Sequence, residues 1–152
     1  MVNAANTALR PGGGVDDAIT RAAGPEALAD RERLIAARGR PPLPTGEAVA
    51  TIGGQLPARW IIHTAGPVYS GTDEDARLLA RCHVSSLRVA DELGVATVAF
   101  PAISTGIYGY PLAEAAPIAI AAVNTADTQV REVRFVLFDD AAMAAFRWAL
   151  DR

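Results

Sequence analysis

The chain has 152 residues, half of them apolar and a fifth charged, with a formal net charge of −3. That balance describes one globular domain with a core of its own and excludes a disordered chain. With no run of basic residues and no apolar run near membrane-spanning length, nucleic-acid binding through phosphate neutralisation and membrane insertion are both disfavoured.

Cys82 is the only cysteine, so no intrachain disulfide can form and a core thiol is expected. A basic segment followed by an apolar signal region is missing at the start, and a reducing cytoplasm is the expected location. The arginines are scattered, mostly on helices beside acids, and read as a solvated charged face.

In chain order, apolar strand-like runs alternate with helical patterns, which predicts an α/β fold. Val2-Asn3-Ala4-Ala5 opens the chain as a strand too short to be complete. A loop from Asn6 to Gly14 ends in three glycines, and Val15, Ala18, Ile19, Ala22 and Ala23 then recur at helical spacing. Gly24-Pro25 stops that helix, and a second helix is predicted from about Glu26 to Arg38. The proline-rich segment Gly39 to Gly46 is a connection. Strands are predicted at Glu47 to Ile52 and at Trp60 to His63, the second running on to Gly66-Pro67. Asp73 to Leu93 is a long helix whose start, Thr72-Asp73-Glu74-Asp75, offers a cap and early acids. Val95 to Phe100 is a buried strand running into Pro101 to Tyr110, and a helix begins near Pro111. The last strand is predicted at Arg134 to Phe138 and the closing helix at Asp140 to Leu150. The nearly continuous apolar run Val133 to Phe138 reads as a strand covered on both faces and paired on both sides. Trp60, Phe100, Phe135 and Phe138 read as core, and Tyr110 as core or cleft lining. His63 reads as a buried, hydrogen-bonded residue, and His83 as surface or core packing. Two histidines and one cysteine make a metal site improbable.

Two glycine-rich loops carry the chemistry. Each leaves an apolar strand and enters a helix, which places both at the carboxyl ends of strands, where ligands bind. Their glycines let backbone N–H groups approach an anion, and the helix starts add partial positive charge. Ser104 to Gly109 contains hydroxyls and glycines but no Lys or Arg, so it suits a diphosphate held by neutral donors. Tyr108 lies between the glycines and can rest against a sugar. In the first loop the Asn6 amide can both donate to and accept from ribose hydroxyls. Asp16 falls in the first helical turn and can serve as a general base; Asp17 reads as a structural acid.

These residues resemble a known family. Asn3-Ala4-Ala5-Asn6 followed by Pro11-Gly12-Gly13-Gly14-Val15-Asp16 is similar to the first motif of MacroD-type macrodomains: Asn, six residues, Gly-Gly, an aliphatic residue and Asp. Gly106-Ile107-Tyr108-Gly109 matches the second, Phe100 to Pro111 resembles the family's phosphate loop throughout, and His63-Thr64-Ala65-Gly66-Pro67 resembles a segment usual between them.

The resemblance implies a three-layer α/β/α macrodomain with a mixed, mostly parallel sheet, spanning 1–152 as a single domain. It implies a hydrolase that removes mono-ADP-ribose from modified proteins and deacetylates O-acetyl-ADP-ribose, with no metal or redox cofactor; the alternative is a reader that binds ADP-ribose without cutting it. Asn6 is then expected to hold the distal ribose and Asp16 to orient or activate water. Gly13, Gly14 and Val15 wrap one side of the ligand. Ser104, Thr105, Gly106, Ile107, Tyr108 and Gly109 bind the diphosphate, with Tyr108 also packing on the distal ribose. Two departures stand out. Thr20 occupies a position where many family members carry His, and a hydroxyl cannot shuttle a proton at neutral pH as imidazole can. Family members also usually carry two strands before Asn3, with an Asp that grips adenine, so an N-terminally incomplete domain with weak adenine recognition is expected.

Overall fold

A computed structural model describes all 152 residues. Five strands, β1 (Val2–Ala5), β2 (Ala48–Ile52), β3 (Trp60–Ala65), β4 (Thr97–Phe100) and β5 (Glu132–Phe135), are interleaved with five helices. The helices are α1 (Val15–Ala23), α2 (Pro25–Ala37), α3 (Asp73–Leu93), α4 (Leu112–Thr125) and α5 (Asp140–Leu150). β1 pairs parallel to β3, β2 antiparallel to β3, and β4 parallel to β5. The ladders form two sheets, β1-β3-β2 and β4-β5, which abut where β1 packs beside β4.

The two-residue alternation of a strand decides which helices each side chain meets. Val2 lies opposite Ile62 in register, and both enter the largest core with Leu79, Cys82 and Leu87 of α3 and with Val98 and Phe100 of β4. On the other face Ile61 packs with Ile19, Ala23 and Ala27 of α1 and α2. Ala5, Ala65 and Val49 meet Leu9, Leu43 and the α2 residues Leu34 and Ile35 on that same side. Helices α4 and α5 share an interface of Ala116, Ala119, Ile120, Phe146 and Ala149, with Phe135 packed against it. The result is three layers: α1 and α2, then the strands, then α3, α4 and α5.

Local chemistry sets the helix ends. At the start of α3, Asp75 accepts from the N–H groups of Ser70, Gly71 and Thr72 at 2.6, 2.9 and 3.3 Å, and left-handed Gly94 ends the helix. At the start of α5, Asp139 accepts from the N–H of Ala142 at 2.9 Å. Cys82 is a buried thiol that donates to the carbonyl of Ala65, and burial pushes its pKa up to about 11. His83 belongs to the core, bonded to the Leu79 carbonyl and tilted against Phe100 with ring centroids 5.0 Å apart. Tyr110 is core as well, against Tyr69. No helix is long and apolar enough to cross a membrane.

The last strand departs from expectation. β5 covers Glu132–Phe135, not Arg134 to Phe138, and pairs only with β4. Phe135 is half-buried between Phe100 and Phe146. Val136 is largely exposed and Phe138 is 99 % exposed, so Phe138 is not core. The physical reason is that α3, α4 and α5 all lie on one face of β4 and β5, while α1 and α2 reach only the β1-β3-β2 sheet. Trp60, also read as core, is only half-buried at the outer end of β3.

Candidate active site

The first loop leaves β1 at Ala5 and closes on itself. The Asn6 amide donates to the Arg10 carbonyl at 2.8 Å and accepts from the Arg10 N–H at 3.2 Å. Leu9 plugs the loop into the core with its backbone in the left-handed region (φ 60°) and no exposed surface. The loop then runs through Gly12, Gly13 and Gly14 into α1. Gly14, the residue before α1, has φ 65° and provides no side-chain cap, so the helix start keeps uncapped N–H groups, which favour an anion.

Beneath this loop lies a buried ion pair. Asp16, 2 % exposed, receives both terminal nitrogens of Arg31, 3 % exposed, at 2.7 Å on Oδ1 and 2.8 Å on Oδ2. The Arg31 Nε–H donates to the Leu9 carbonyl at 2.5 Å, which ties α2 to the loop. The Thr20 hydroxyl donates to Asp16 Oδ1 at 3.1 Å and accepts from Arg31 at 3.3 Å. Burial alone would raise the Asp16 carboxyl; the Arg31 hydrogen bonds and charge, with smaller help from Asn3 and Thr20, outweigh it and hold the group below its ordinary value. Arg31 is therefore no member of a solvated charged face. Its signal was its place in α2, one turn after buried Ala27 and one turn before Leu34, on the stripe that faces the sheet. Asp17, by contrast, pairs with exposed Arg21 at the surface.

The same layer contains His63, which bonds Thr51 at 2.8 Å through Nε2 and the Asn3 amide nitrogen at 3.1 Å through Nδ1. Asn3 donates to Nδ1, so the proton sits on Nε2 and goes to Thr51. Burial pushes the His63 pKa down to about 3, so the ring is neutral and structural. His63 is thus the buried, hydrogen-bonded residue its strand-end position predicted.

The second loop is held without charge. Ser104 takes a left-handed backbone (φ 67°), and its carbonyl accepts from the Tyr110 N–H at 2.9 Å. The Thr105 hydroxyl and N–H both go to the Ala102 carbonyl, at 2.8 and 3.3 Å. The Gly109 N–H goes to the Gly106 carbonyl at 3.0 Å, and the Tyr108 carbonyl accepts from Tyr69 at 2.8 Å. The N–H groups of Gly106, Ile107 and Tyr108 find no acceptor in the chain. Together with the Ser104 N–H, which also finds no acceptor, they are the loop's open donors, whereas those of Thr105 are committed. The Ser104 hydroxyl is buried with no partner against Gly66, where a Cβ would stand 2.2 Å from it. Only glycine lets the turn after β3 pass beneath this loop.

The loops face each other. A Cβ on Gly13 would lie 3.9 Å from Ile107 Cδ1, and Ile107 is 91 % exposed. A Cβ on Gly12 would lie 3.3 Å from Asn6 Nδ2 and 4.0 Å from Asp16 Oδ2. Asn6 and Asp16 thus lie together beneath Gly12, and Gly13 faces Ile107 of the second loop, so the two loops form one candidate site. Its chemistry is that of an anion cradle made of amides, with one amide side chain and one fixed carboxylate at its end. The sequence reading assigns no role to Arg31 or Thr51, nor to Asn3 and Gly66 within the motif segments it quotes, and all four shape the site from below.

The chain matches known proteins over nearly its whole length. The Macro domain family profile covers residues 2–119. A macro domain-containing protein of Streptomyces coelicolor is 58 % identical over 146 residues, covering 96 % of this chain and 86 % of that protein. An O-acetyl-ADP-ribose deacetylase of Klebsiella pneumoniae is 47 % identical over 151 residues, covering 97 % of this chain and 85 % of that protein. The solved Oceanobacillus iheyensis macrodomain with ADP is 41 % identical and superposes with a TM-score of 0.90, covering 99 % of this chain and 81 % of that one. Shared sequence, shared layers and the paired loops lead to one conclusion: this chain belongs to the macro domain family.

Proposed function

We propose that this chain is a hydrolase that removes mono-ADP-ribose from modified proteins and deacetylates O-acetyl-ADP-ribose, acting in the cytoplasm. The observation that carries this reading is that Gly13 faces Ile107, which supports taking both loops as walls of one groove with Asn6 and Asp16 at its end. The diphosphate lies along the open N–H groups of Gly106, Ile107 and Tyr108, with Ser104, Thr105 and Gly109 shaping the turn. Gly13, Gly14 and Val15, at the uncapped start of α1, close the other side. Asn6 exchanges its Arg10 bonds for the distal ribose, Tyr108 packs on that sugar, and Asp16 orients the attacking water at the anomeric carbon or the ester. The protein's contribution is positioning and charge stabilisation. The deacetylase of Klebsiella pneumoniae and the Oceanobacillus iheyensis macrodomain solved with ADP support the substrate class.

The test is release of ADP-ribose from a mono-ADP-ribosylated protein and of acetate from O-acetyl-ADP-ribose. Asp16→Ala is expected to lower turnover about 100-fold or more, the scale of a lost acid–base or water-orienting group, while calorimetry still shows ADP-ribose binding. Unchanged turnover in that variant would refute the assignment. The reader alternative draws on the commitment of Asp16 to Arg31 and Thr20; it predicts tight ADP-ribose binding and no release by the wild type.

A further inference from the structure

We propose that Arg31 is a positioning residue for hydrolysis: from α2 it fixes the orientation and the ionisation of Asp16, and so sets the pH range in which the enzyme works. The inference rests on the hydrolase reading above and concerns a residue on α2, outside both substrate loops in the chain but bonded to the first of them.

The geometry is specific. A guanidinium fork on a carboxylate fixes its plane as well as its charge, which a single ammonium cannot do. Here both Asp16 oxygens take one prong each. The third donor, Nε–H, goes to the Leu9 carbonyl, on the loop that carries Asn6. One planar group therefore sets the carboxylate and the loop backbone in a single frame. Thr20 fills the remaining edge, donating to Asp16 while accepting from Arg31. Because Thr20 cannot carry charge, the cation facing Asp16 comes from α2 and not from its own helix.

The other groups around Asp16 do not compete. On α1, Asp17 and Arg21 pair with each other at the surface. On α2, Asp30 accepts from the Ile52 N–H and pairs with Arg33. On β3, His63 is neutral between Thr51 and Asn3. β1 contributes the uncharged Asn3, and Arg10 of the loop is exposed. Arg31 is the charge that decides the state of Asp16. A carboxylate held this firmly orients water by accepting a hydrogen bond, and it stays charged well into the acid range.

The experiment is the pH profile of kcat/KM for ADP-ribose release, from pH 4 to 8, for wild type, Arg31→Lys, Arg31→Gln and Arg31→Met, with ADP-ribose affinity and the fold followed in parallel by calorimetry and circular dichroism. The wild type is expected to lose no activity to Asp16 protonation in that range. Gln and Met should move an acid limb into it, by at least about one pH unit, equivalent to about tenfold at the acid end. Lys, which returns the charge without the fork, should restore the limb while leaving kcat reduced. A merely structural Arg31 would lower activity at every pH without displacing the limb, and that result overturns the proposal. So does a wild-type limb in Arg31→Gln. Should Met and Gln fail to fold, Arg31→Lys decides, alone and combined with Asp16→Asn: kcat equal to wild type refutes the role of the fork, a lowered kcat that Asp16→Asn does not lower further supports it, and losses that multiply in the double variant refute it. Failure of the hydrolase reading looks different, since the wild type then releases no ADP-ribose at any pH, or releases it as fast after Asp16→Ala.

Discussion

The first loop is anchored by buried charge, with Arg31 gripping Asp16 and the Leu9 carbonyl. The second is anchored by neutral bonds and close packing, with Thr105 on Ala102, Tyr108 on Tyr69 and Ser104 on Gly66. On the function proposed above, the difference follows from what each loop has to present. A diphosphate is best met by open amides, and no cation is built into the second loop to compete for it. The end that carries the chemistry needs a carboxylate in one orientation, and only a buried counter-charge holds one there. Buried ion pairs add little net stability compared with apolar packing, but breaking one is costly. The first loop is therefore the more brittle of the two, and the second the more tolerant.

Arg31→Met should break the comparison most sharply. It strands the Asp16 carboxylate in the core, at about 3–5 kcal/mol, which for a domain of this size lowers the thermal midpoint by about 10 °C. Adding Asp16→Leu should recover most of that loss; thermal unfolding of the single and double variants checks it.

Acid should weaken the supports of both loops. Burial pushes His63, under the first loop, from 6.5 down to about 3, and His83, against the strand that feeds the second, from 6.5 down to about 4. Both are neutral when folded and take up a proton when unfolded below pH 6.5. Their contribution is whole above that pH and declines as pH falls toward the folded values, by about 1.4 kcal/mol per pH unit for each ring. Urea unfolding at pH 7, 5.5 and 4.5 should show the decline, and His83→Phe should remove about half of its slope. A wild-type midpoint independent of pH across that window would contradict the neutral rings.

Gly66→Ala tests the second loop. The new Cβ would lie 2.2 Å from Ser104 Oγ and 2.6 Å from Ile103 Cγ2. Overpacking of this kind costs about 1–3 kcal/mol, and the displaced loop should bind ADP-ribose more weakly in calorimetry. The smallest effect is expected from Ile107→Ala. As an exposed side chain it should change stability by less than about 0.5 kcal/mol, yet ADP-ribose should dissociate faster because the side chain that the second loop extends toward Gly13 is gone. An unchanged off-rate would mean that the two loops do not close on the ligand.

Much of the fold was legible in the chain itself. The helices Val15–Ala23, Asp73–Leu93 and Asp140–Leu150 begin and end where caps, glycines and periodicity place them. Those signals act within a turn of the residues that carry them. The last strand was misjudged because an apolar run reports only what a strand would prefer to meet. Whether a helix covers Val136 and Phe138 depends on where α1 and α2 end up. Arg31 was misjudged for the same reason: on a helix, one arginine among Asp30, Glu32 and Arg33 looks like surface charge until the opposite element is known.

The sequence by itself determined the alternation of strands and helices, the two glycine loops and the residues that line them, because these depend on local backbone freedom and on spacing along the chain. Only the tertiary structure decided that Gly13 of one loop faces Ile107 of the other, that Asp16 is buried against Arg31, and that one face of β4 and β5 lies open. Those outcomes require residues far apart in the chain to meet, and hydrophobic and ionic contacts of that kind carry no local signature.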